Sequence, residues 1–239
     1  TAGGTLKVKR NGVLIGTNMF SSLDNTNYLV AFNGDSTTGM GGVFDFGQSG
    51  YEPSDSDYKT LCKDNLSAPE IALPGDYFNS VIWTGDAASS RSITGVGFQP
   101  DIVWIKGRSF SDNHFITDAV RGVTKTIFPD LTAAEETQTG ALTAFGSDGF
   151  TVGSMVEGNT NTGTHVAWNW LAGNATLGTG DFTQGTAAST CSRNVLAGFS
   201  IVSYTGTGAS ATFGHGLSKA PEISFYKIRS AAYQWMVYT

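Results

Sequence analysis

Residues 100–109 read PDIVWIKGRS, and residues 221–230 read PEISFYKIRS. The second stretch starts 121 residues after the first and keeps its Pro, Ile, Lys, Arg and Ser in the same places. Each contains a short run rich in β-branched and aromatic residues behind a Pro, which is typical of a β-strand. The sequence therefore predicts one strand that occurs twice.

The similarity continues on the N-terminal side of both stretches. Residues 81–85 (VIWTG) match residues 202–206 (VSYTG) at the same offset. Residues 95–98 (GVGF) match residues 214–217 (GHGL) at an offset two residues shorter. Similarity that preserves order in this way marks tandem copies of one module.

The repeat predicts how the chain is organised. We expect a complete β-sandwich over residues 76–196, called the first repeat below, and the start of a second copy over residues 197–239, called the second repeat. Residues 1–50 form a further β module, and residues 51–75 form a connector, because apolar periodicity stops there and Pro appears among Ser and Asp. We expect the first and last modules to be incomplete.

Composition predicts an all-β protein, and together with the repeat it leads us to expect tandem antiparallel, jelly-roll-like sandwiches. The chain has 31 Gly, and charged residues make up 14% of it, well below the roughly 25% that is usual. The segment that comes nearest to a helix, residues 131–137, is too short to offset the cost of helix nucleation. Short strands joined by many tight turns suit this balance.

Several strands follow from local patterns. Asn11-Gly12 lies between two alternating segments and predicts a β-hairpin, and residues 146–149 (GSDG) predict another. Along the strand predicted at 164–171, His165 shares one sheet face with Ala167 and Asn169. The other predicted strands are residues 28–32, 43–46, 77–83, 102–105, 114–118, 142–145 and 150–152.

Charge and hydropathy exclude two classes of partner. The formal net charge is −6, so no basic field attracts nucleic acid. No apolar run approaches the roughly 18 residues that a membrane helix needs, so we expect no membrane insertion. Cys62 and Cys191 are the two thiols, and we favour buried free thiols over a disulfide between them.

No constellation of residues points to catalysis, a cofactor or a metal ion. Most acidic residues neighbour Ser, Gly or Asn, where their side chains cap turns. Asp55 and Asp57 lack the Gly and Glu of a calcium-binding loop. The three histidines, His114, His165 and His215, have no further ligand at zinc spacing. We therefore predict that the protein is not an enzyme and uses no cofactor.

The aromatic residues carry the remaining functional signal. Exposed rings stack on sugar faces or on protein partners, and we name Trp168, Trp170 and Trp235 as candidate contacts for a glycan or a neighbouring subunit. Trp83 and Trp104 align with aromatic residues in the second repeat. We interpret both of these tryptophans as core residues.

Motifs along the chain resemble phage virion structural proteins of the tail-fibre type. Residues 43–48 (VFDFGQ), between the Asn11-Gly12 hairpin and residues 58–62, are similar to the closing strands of a SPRY-like, concanavalin A-like sandwich. The modules that follow such a sandwich in phage virion proteins are similar to residues 92–106, 120–125, 145–153 and 166–173.

This resemblance implies a structural component of a virion appendage or surface, either a tail fibre or a capsid-associated protein. It implies a virion or extracellular location, other virion subunits as partners, and a homo-oligomer. The alternative is a carbohydrate-binding module that recognises host cell-surface glycan. The resemblance supplies no catalytic residues.

Overall fold

The computed structural model of the chain describes residues 4–6, 9–10, 13–14, 20–23, 71 and 73–239. The chain divides into two compact units, Thr1–Pro69 and Glu70–Thr239. The boundary between them falls inside the stretch predicted to be a connector.

The described part of the first unit consists of four short strands: β1 (Gly4–Leu6), β2 (Lys9–Arg10), β3 (Val13–Leu14) and β4 (Phe20–Leu23). β1 pairs with β4, and β2 pairs with β3, both antiparallel. The pairing of β2 with β3 confirms the hairpin predicted at Asn11-Gly12. The strands predicted at 28–32 and 43–46 lie outside the described residues, as do Asp55, Asp57 and Cys62.

Nearly all of the regular secondary structure described in the second unit consists of β-strands. A single 3-10 turn (Pro74–Asp76) precedes them, and one short helix, α1 (Val156–Asn159), interrupts them. The strands are β5 (Phe78–Thr84), β6 (Arg91–Thr94), β7 (Ile102–Gly107), β8 (Phe115–Asp118), β9 (Lys125–Thr126), β10 (Glu136–Thr137), β11 (Leu142–Gly146), β12 (Gly149–Val152), β13 (Thr164–Trp170), β14 (Ser189–Asn194), β15 (Phe199–Tyr204), β16 (Ser224–Tyr226) and β17 (Met236–Tyr238). With 38% strand and 4% helix, the structure confirms the all-β class.

Two antiparallel sheets in the first repeat enclose its core. The larger sheet has the order β5-β13-β7-β8, and the smaller has the order β11-β12-β6. Trp83 of the larger sheet meets Phe150 of the smaller one edge-on, with ring centroids 5.8 Å apart. The apolar side chains of both inner faces form one buried cluster, which includes Ile93, Val103, Ile105, Phe115, Leu142 and Val152. The result is a sandwich-like arrangement in which each sheet covers the apolar face of the other.

A turn links the smaller sheet to a glycine-rich loop. The predicted hairpin at 146–149 is confirmed, because β11 and β12 pair up to Gly146 and Gly149. The Asp148 carboxylate in this turn accepts hydrogen bonds from the N–H groups of Gly95 (3.1 Å) and Gly97 (2.7 Å). Both of these glycines have φ near +90°, a region that side chains disfavour. These two bonds lower the pKa of Asp148 and confirm the turn-capping role predicted for such acids.

The central strand, β13, alternates as its sequence predicts. His165, Ala167 and Asn169 are fully buried on the inner face. The His165 ring stacks on Trp83, with centroids 5.2 Å apart, and meets Phe110 edge-on. Neither of its ring nitrogens has a hydrogen-bond partner among the described residues. Burial therefore lowers the pKa of His165, against an opposing effect of the Thr160 and Glu157 backbone.

The two repeats share strand register. In the first, β7 and β8 pair antiparallel; in the second, β16 and β17 do the same. Adding 121 to each partner in three pairs of β7 and β8 gives the three pairs of β16 and β17. The first set is Val103↔Thr117, Trp104↔Ile116 and Ile105↔Phe115, and the second is Ser224↔Tyr238, Phe225↔Val237 and Tyr226↔Met236.

Side-chain contacts recur at matching positions as well. The Lys106 ammonium donates to the Asp112 carbonyl at 2.8 Å, and 121 residues later Lys227 donates to the Tyr233 carbonyl at 2.8 Å. Asn79 Nδ2 donates a hydrogen bond to the Val96 carbonyl (3.1 Å). At the matching positions of the second repeat, Ser200 Oγ donates to the His215 carbonyl (2.6 Å). The sequence repeat therefore corresponds to similar local structure.

Candidate interaction surface

The outer face of the larger sheet carries an aromatic pair. Trp104 on β7 and Trp168 on β13 are directly opposite in register, and their rings meet edge-on with centroids 5.8 Å apart. The indole N–H of Trp104 reaches His114 Nδ1 at 3.3 Å. Both tryptophans are half-buried. The interpretation of Trp83 as a core residue is confirmed, but that of Trp104 is wrong, because alternation along β7 turns its side chain away from the core.

Trp170, at the end of β13, lies between the two repeats. Its ring centroid is 4.8 Å from that of Phe78 on β5 and 6.0 Å from that of Phe199 on β15. Phe199 is the counterpart of Phe78, 121 residues further on. One indole therefore contacts the same position of both repeats, which buries apolar area at their junction.

A buried carboxylate joins separate parts of the first repeat. Asp101, directly before β7, is fully buried. It accepts hydrogen bonds from three successive backbone N–H groups and from one hydroxyl: Ala172 N, Gly173 N, Asn174 N and Ser192 Oγ. The loop after β13 and strand β14 are thus joined to the start of β7.

An ionic network forms the second part of the junction between the repeats. Arg121 and Asp118 are an almost fully buried pair, with side chains 5% and 4% exposed. Glu135 lies beside them, 3.2 Å from Arg121. From the second repeat, Arg229 reaches both Glu135 oxygens, at 2.8 Å and 3.0 Å. Charge-assisted bonds of this two-pronged kind fix orientation.

Backbone and indole contacts extend the docking of residues 227–235. Lys227 Nζ and Tyr233 N both donate to the Thr132 carbonyl, at 3.2 Å and 2.8 Å. The Trp235 indole N–H donates to the Phe128 carbonyl at 2.9 Å. This segment of the second repeat therefore lies against the loop that follows β9 in the first.

The three predicted contact tryptophans are thus in different surroundings. Trp170 and Trp235 are occupied by contacts between the repeats, whereas Trp168 shares the outer sheet face with Trp104. Sequence reasoning missed Asp101, Glu135 and Arg229. The sequence did carry a signal for Asp101 and Arg229, because an acidic residue precedes the repeated strand in both copies and an Arg follows it.

The strands of the second repeat expose much more apolar surface than the matching strands of the first repeat do. Phe225 is 62% exposed, and Met236, the counterpart of fully buried Phe115, is 49% exposed. Other exposed apolar residues of this repeat are Tyr204, Ile223, Ile228, Tyr233, Val237 and Tyr238. Exposed apolar patches of this kind mark interaction sites.

The described residues show little that suggests other chemistry. Among them, no group of three or more His, Cys, Asp or Glu is placed to hold a metal ion. No helix in the described part of the chain is long and apolar enough to span a membrane. Cys191 is a buried free thiol, as predicted, and burial raises its pKa.

Comparison with known proteins gives a family but no function. No curated protein matches the chain, and no solved structure matches it. A family model described as a domain of unknown function, DUF7483, matches residues 73–239. This match covers well over half of the sequence and the whole of both repeats after the connector. The chain belongs to the DUF7483 family.

Proposed function

We propose that the protein is a structural component of a virion appendage or surface, a tail fibre or capsid-associated protein built of tandem β modules. The observation that carries the structural role is the junction between the repeats. Trp170 contacts the same position of both copies, and the Glu135 carboxylate of the first accepts two hydrogen bonds from Arg229 of the second. The virion or extracellular location is proposed from the sequence resemblance.

The junction suits a stiff spacer. An interface made of one aromatic contact alone would let neighbouring modules rock about it. Here the Glu135–Arg229 ion pair and the bond from the Trp235 indole to the Phe128 carbonyl also cross between the repeats, so relative rotation breaks hydrogen bonds. Buried polar groups that lose their partners carry a large energetic penalty.

The titratable groups of the first repeat serve this architecture. Asp86 caps its own loop through the Ala88 N–H, and Asp148 caps the Gly95–Gly97 loop. Asp101 and Asp118 make buried bonds within the first repeat, and Glu135 binds Arg229 of the second. We accordingly propose no catalytic role for them.

Exposed strands favour assembly into a homo-oligomer and contact with other virion subunits. Unpaired strand edges and apolar ribbons such as β16 and β17 promote association unless something covers them. Closed symmetric oligomers are the usual arrangement in which identical chains cover such surfaces.

Electron microscopy of the purified full-length protein, combined with analytical ultracentrifugation, tests this proposal. We expect an ordered symmetric rod or shell in which the repeats follow one another at constant spacing. A stable monomer whose repeats are not in fixed relation would contradict it.

The alternative function is recognition of host cell-surface glycan, and the Trp104–Trp168 pair favours it. The two half-buried rings share one sheet face with Lys106, a cation with hydrogen-bonding capacity. A glycan array tests this alternative with the Trp168→Ala variant. Binding that is lost in this variant but kept in Tyr238→Ala, a change at an exposed aromatic of the second repeat, would support it.

A further inference from the structure

His165 is a polar side chain enclosed in the apolar core of the first repeat. It is fully buried on the inner face of β13, and neither of its ring nitrogens has a hydrogen-bond partner among the described residues. Its ring lies between two aromatic rings, because it stacks on Trp83 at 5.2 Å and meets Phe110 edge-on at 5.3 Å. Water would bond to both nitrogens, so His165 gains hydrogen bonds whenever water reaches it.

Phe110 covers His165 on the side toward solvent. The ring is half-buried, and its chain neighbours Ser109 and Ser111 are exposed. It fills a slot that two glycines leave open: a Cβ atom at Gly107 would lie 2.5 Å from the Phe110 ring, and one at Gly163 would lie 2.7 Å from it. Phe110 therefore closes this corner of the sandwich with a side chain that no strand contributes.

The Phe110 ring can leave its slot without breaking a strand pairing, because it lies in the loop between β7 and β8. Two bonds join this loop to the start of β13. The Arg108 N–H donates to the Thr164 carbonyl at 2.7 Å, and the Thr164 N–H donates to the Ser109 hydroxyl at 2.9 Å. Thr162, just before β13, has a φ of 61°, which a β-branched side chain disfavours. This corner is thus held less firmly than the paired strands around it.

The charges around His165 do not compensate a positive ring in the closed form. Burial lowers the pKa of His165, the backbone of Thr160 and Glu157 opposes this, and the charge of Arg91 lowers the pKa further. Burial also raises the pKa of Glu157, so this acid supplies less negative charge than an ordinary glutamate. The titratable groups on the elements packed around His165 are Asp86, Arg91, Lys106, Arg108, Asp112, Asp118 and Glu157.

We propose that Phe110 is an acid-sensitive plug: when His165 takes up a proton from solvent, the Phe110 ring leaves its glycine slot and water enters this corner, while both sheets stay folded. The charged ring is stable only where water reaches it, so protonation favours the open form by linkage. The inference rests on the core of the first repeat and is independent of any location in a virion.

Amide hydrogen exchange of the full chain, followed by NMR at pH 7.5 and pH 5.5 and corrected for the intrinsic effect of pH on exchange, tests this inference. The amides of Arg108 and Thr164 report the opening, because their bonds join the Phe110 loop to β13. A hydrated His165 has its ordinary pKa of 6.5, so we expect opening to be about tenfold more frequent at pH 5.5. Amides of β11 and β12 should change by less than about twofold.

Three variants identify the groups responsible. His165→Gln removes the titrating ring and should abolish the tenfold change, whereas Glu157→Gln should keep it. Phe110→Ala introduces the residue that the second repeat has at the matching position, Ala231. This variant should speed exchange of both reporting amides at both pH values, and NMR titration should place the pKa of its His165 ring closer to 6.5 than in the wild type.

The outcomes separate a local plug from general loosening in acid. A tenfold change that persists in His165→Gln, or one that extends equally to β11 and β12, would overturn the inference. So would wild-type amides whose protection is the same at both pH values. If the His165 ring titrates identically in Phe110→Ala and in the wild type, Phe110 does not shield it, and the inference is wrong.

Discussion

Asp101 shows how many bonds within the first repeat depend on a single side chain. Its carboxylate accepts four hydrogen bonds, three from one loop and one from β14. Glu222, at the matching position of the second repeat, is exposed. The same acid position is therefore structural in one repeat and solvent-facing in the other, and the difference lies in the donors around it.

Replacing Asp101 by Ala should lower the free energy of unfolding by about 3 kcal/mol, because several buried donors lose their acceptor together. Glu222→Ala is the matched control, and we expect a change within about 0.5 kcal/mol, as is usual for surface positions. Urea denaturation of both variants measures the difference. Equal losses in the two variants would show that the loop after β13 does not depend on this carboxylate.

His165 makes a second prediction at the residue scale, this time for pH. Burial lowers the pKa of His165 from its ordinary value of 6.5, so the folded protein takes up this proton less readily than the unfolded chain does. Stability from this site is therefore complete above pH 6.5 and declines as the pH falls below that value. The melting temperature should drop between pH 7.5 and pH 5.5.

The His165→Leu variant separates this effect from that of other histidines. It should flatten the pH dependence, because the buried group no longer titrates. Burial also lowers the pKa of His114; the charge of Lys106 lowers it further, and that of Asp130 opposes the shift. The His114→Gln variant is therefore the comparison, and it should keep the part of the pH dependence of stability that comes from His165. A wild-type slope in His165→Leu would exclude His165 as the cause.

At the scale of strands, the alternation of side chains predicted the position of a strand correctly where one face of that strand is buried. The strand predicted at 164–171 is found at Thr164–Trp170, because compact and large side chains alternate there. β6 and β14 were not predicted. Their residues are mostly polar, RSIT and STCSRN, and they are strands because neighbouring strands pair with them. Trp104 was misassigned because two aromatic residues at matching positions fit an outer face as well as a core.

The contact between residues 227–235 and the first repeat depends on Glu135. Burial raises the pKa of Glu135, but the hydrogen bonds and charges of Arg229 and Arg121 outweigh burial and hold it below its ordinary value of 4.5. The stability that this site supplies is present above pH 4.5 and is lost as the pH falls through the lowered value.

Glu135→Gln should reduce the free energy of unfolding by about 2 kcal/mol, since it removes the charge that both arginines share, one of them buried. Arg229→Gln should lose no more than about 1 kcal/mol, because this guanidinium is 42% exposed and solvent screens it. Arg108→Gln, at the exposed matching position, is the control. Acid titration of each variant by circular dichroism should show that the Glu135→Gln protein has the smaller loss between pH 5 and pH 3.

At the scale of the whole molecule, the internal repeat was the most informative feature of the sequence. It matched Ile105 with Tyr226, and the shared register of β7–β8 and β16–β17 follows the same offset. The contacts between the repeats were beyond reach. Glu135 meets Arg229 across 94 residues, and even within the first repeat Asp101 meets Ser192 across 91, and no local pattern encodes contacts so far apart in the sequence.

These long-range contacts predict that the two repeats unfold together. Trp170 lies between Phe78 and Phe199, so Trp170→Ala removes the ring that both repeats share and should lower the free energy of unfolding by about 3 to 5 kcal/mol. Trp168→Ala is the matched control on the same strand and the same face; its ring contacts Trp104 and does not touch the second repeat in any described ring contact.

Hydrogen exchange then distinguishes coupling from simple destabilisation. If the junction couples the repeats, Trp170→Ala should speed exchange in β14 and β15 far more than in β7, whereas Trp168→Ala should affect β7 first. The same ratio of β15 to β7 exchange in both variants would mean that the repeats are stabilised separately, and a stiff spacer would then need another source of rigidity.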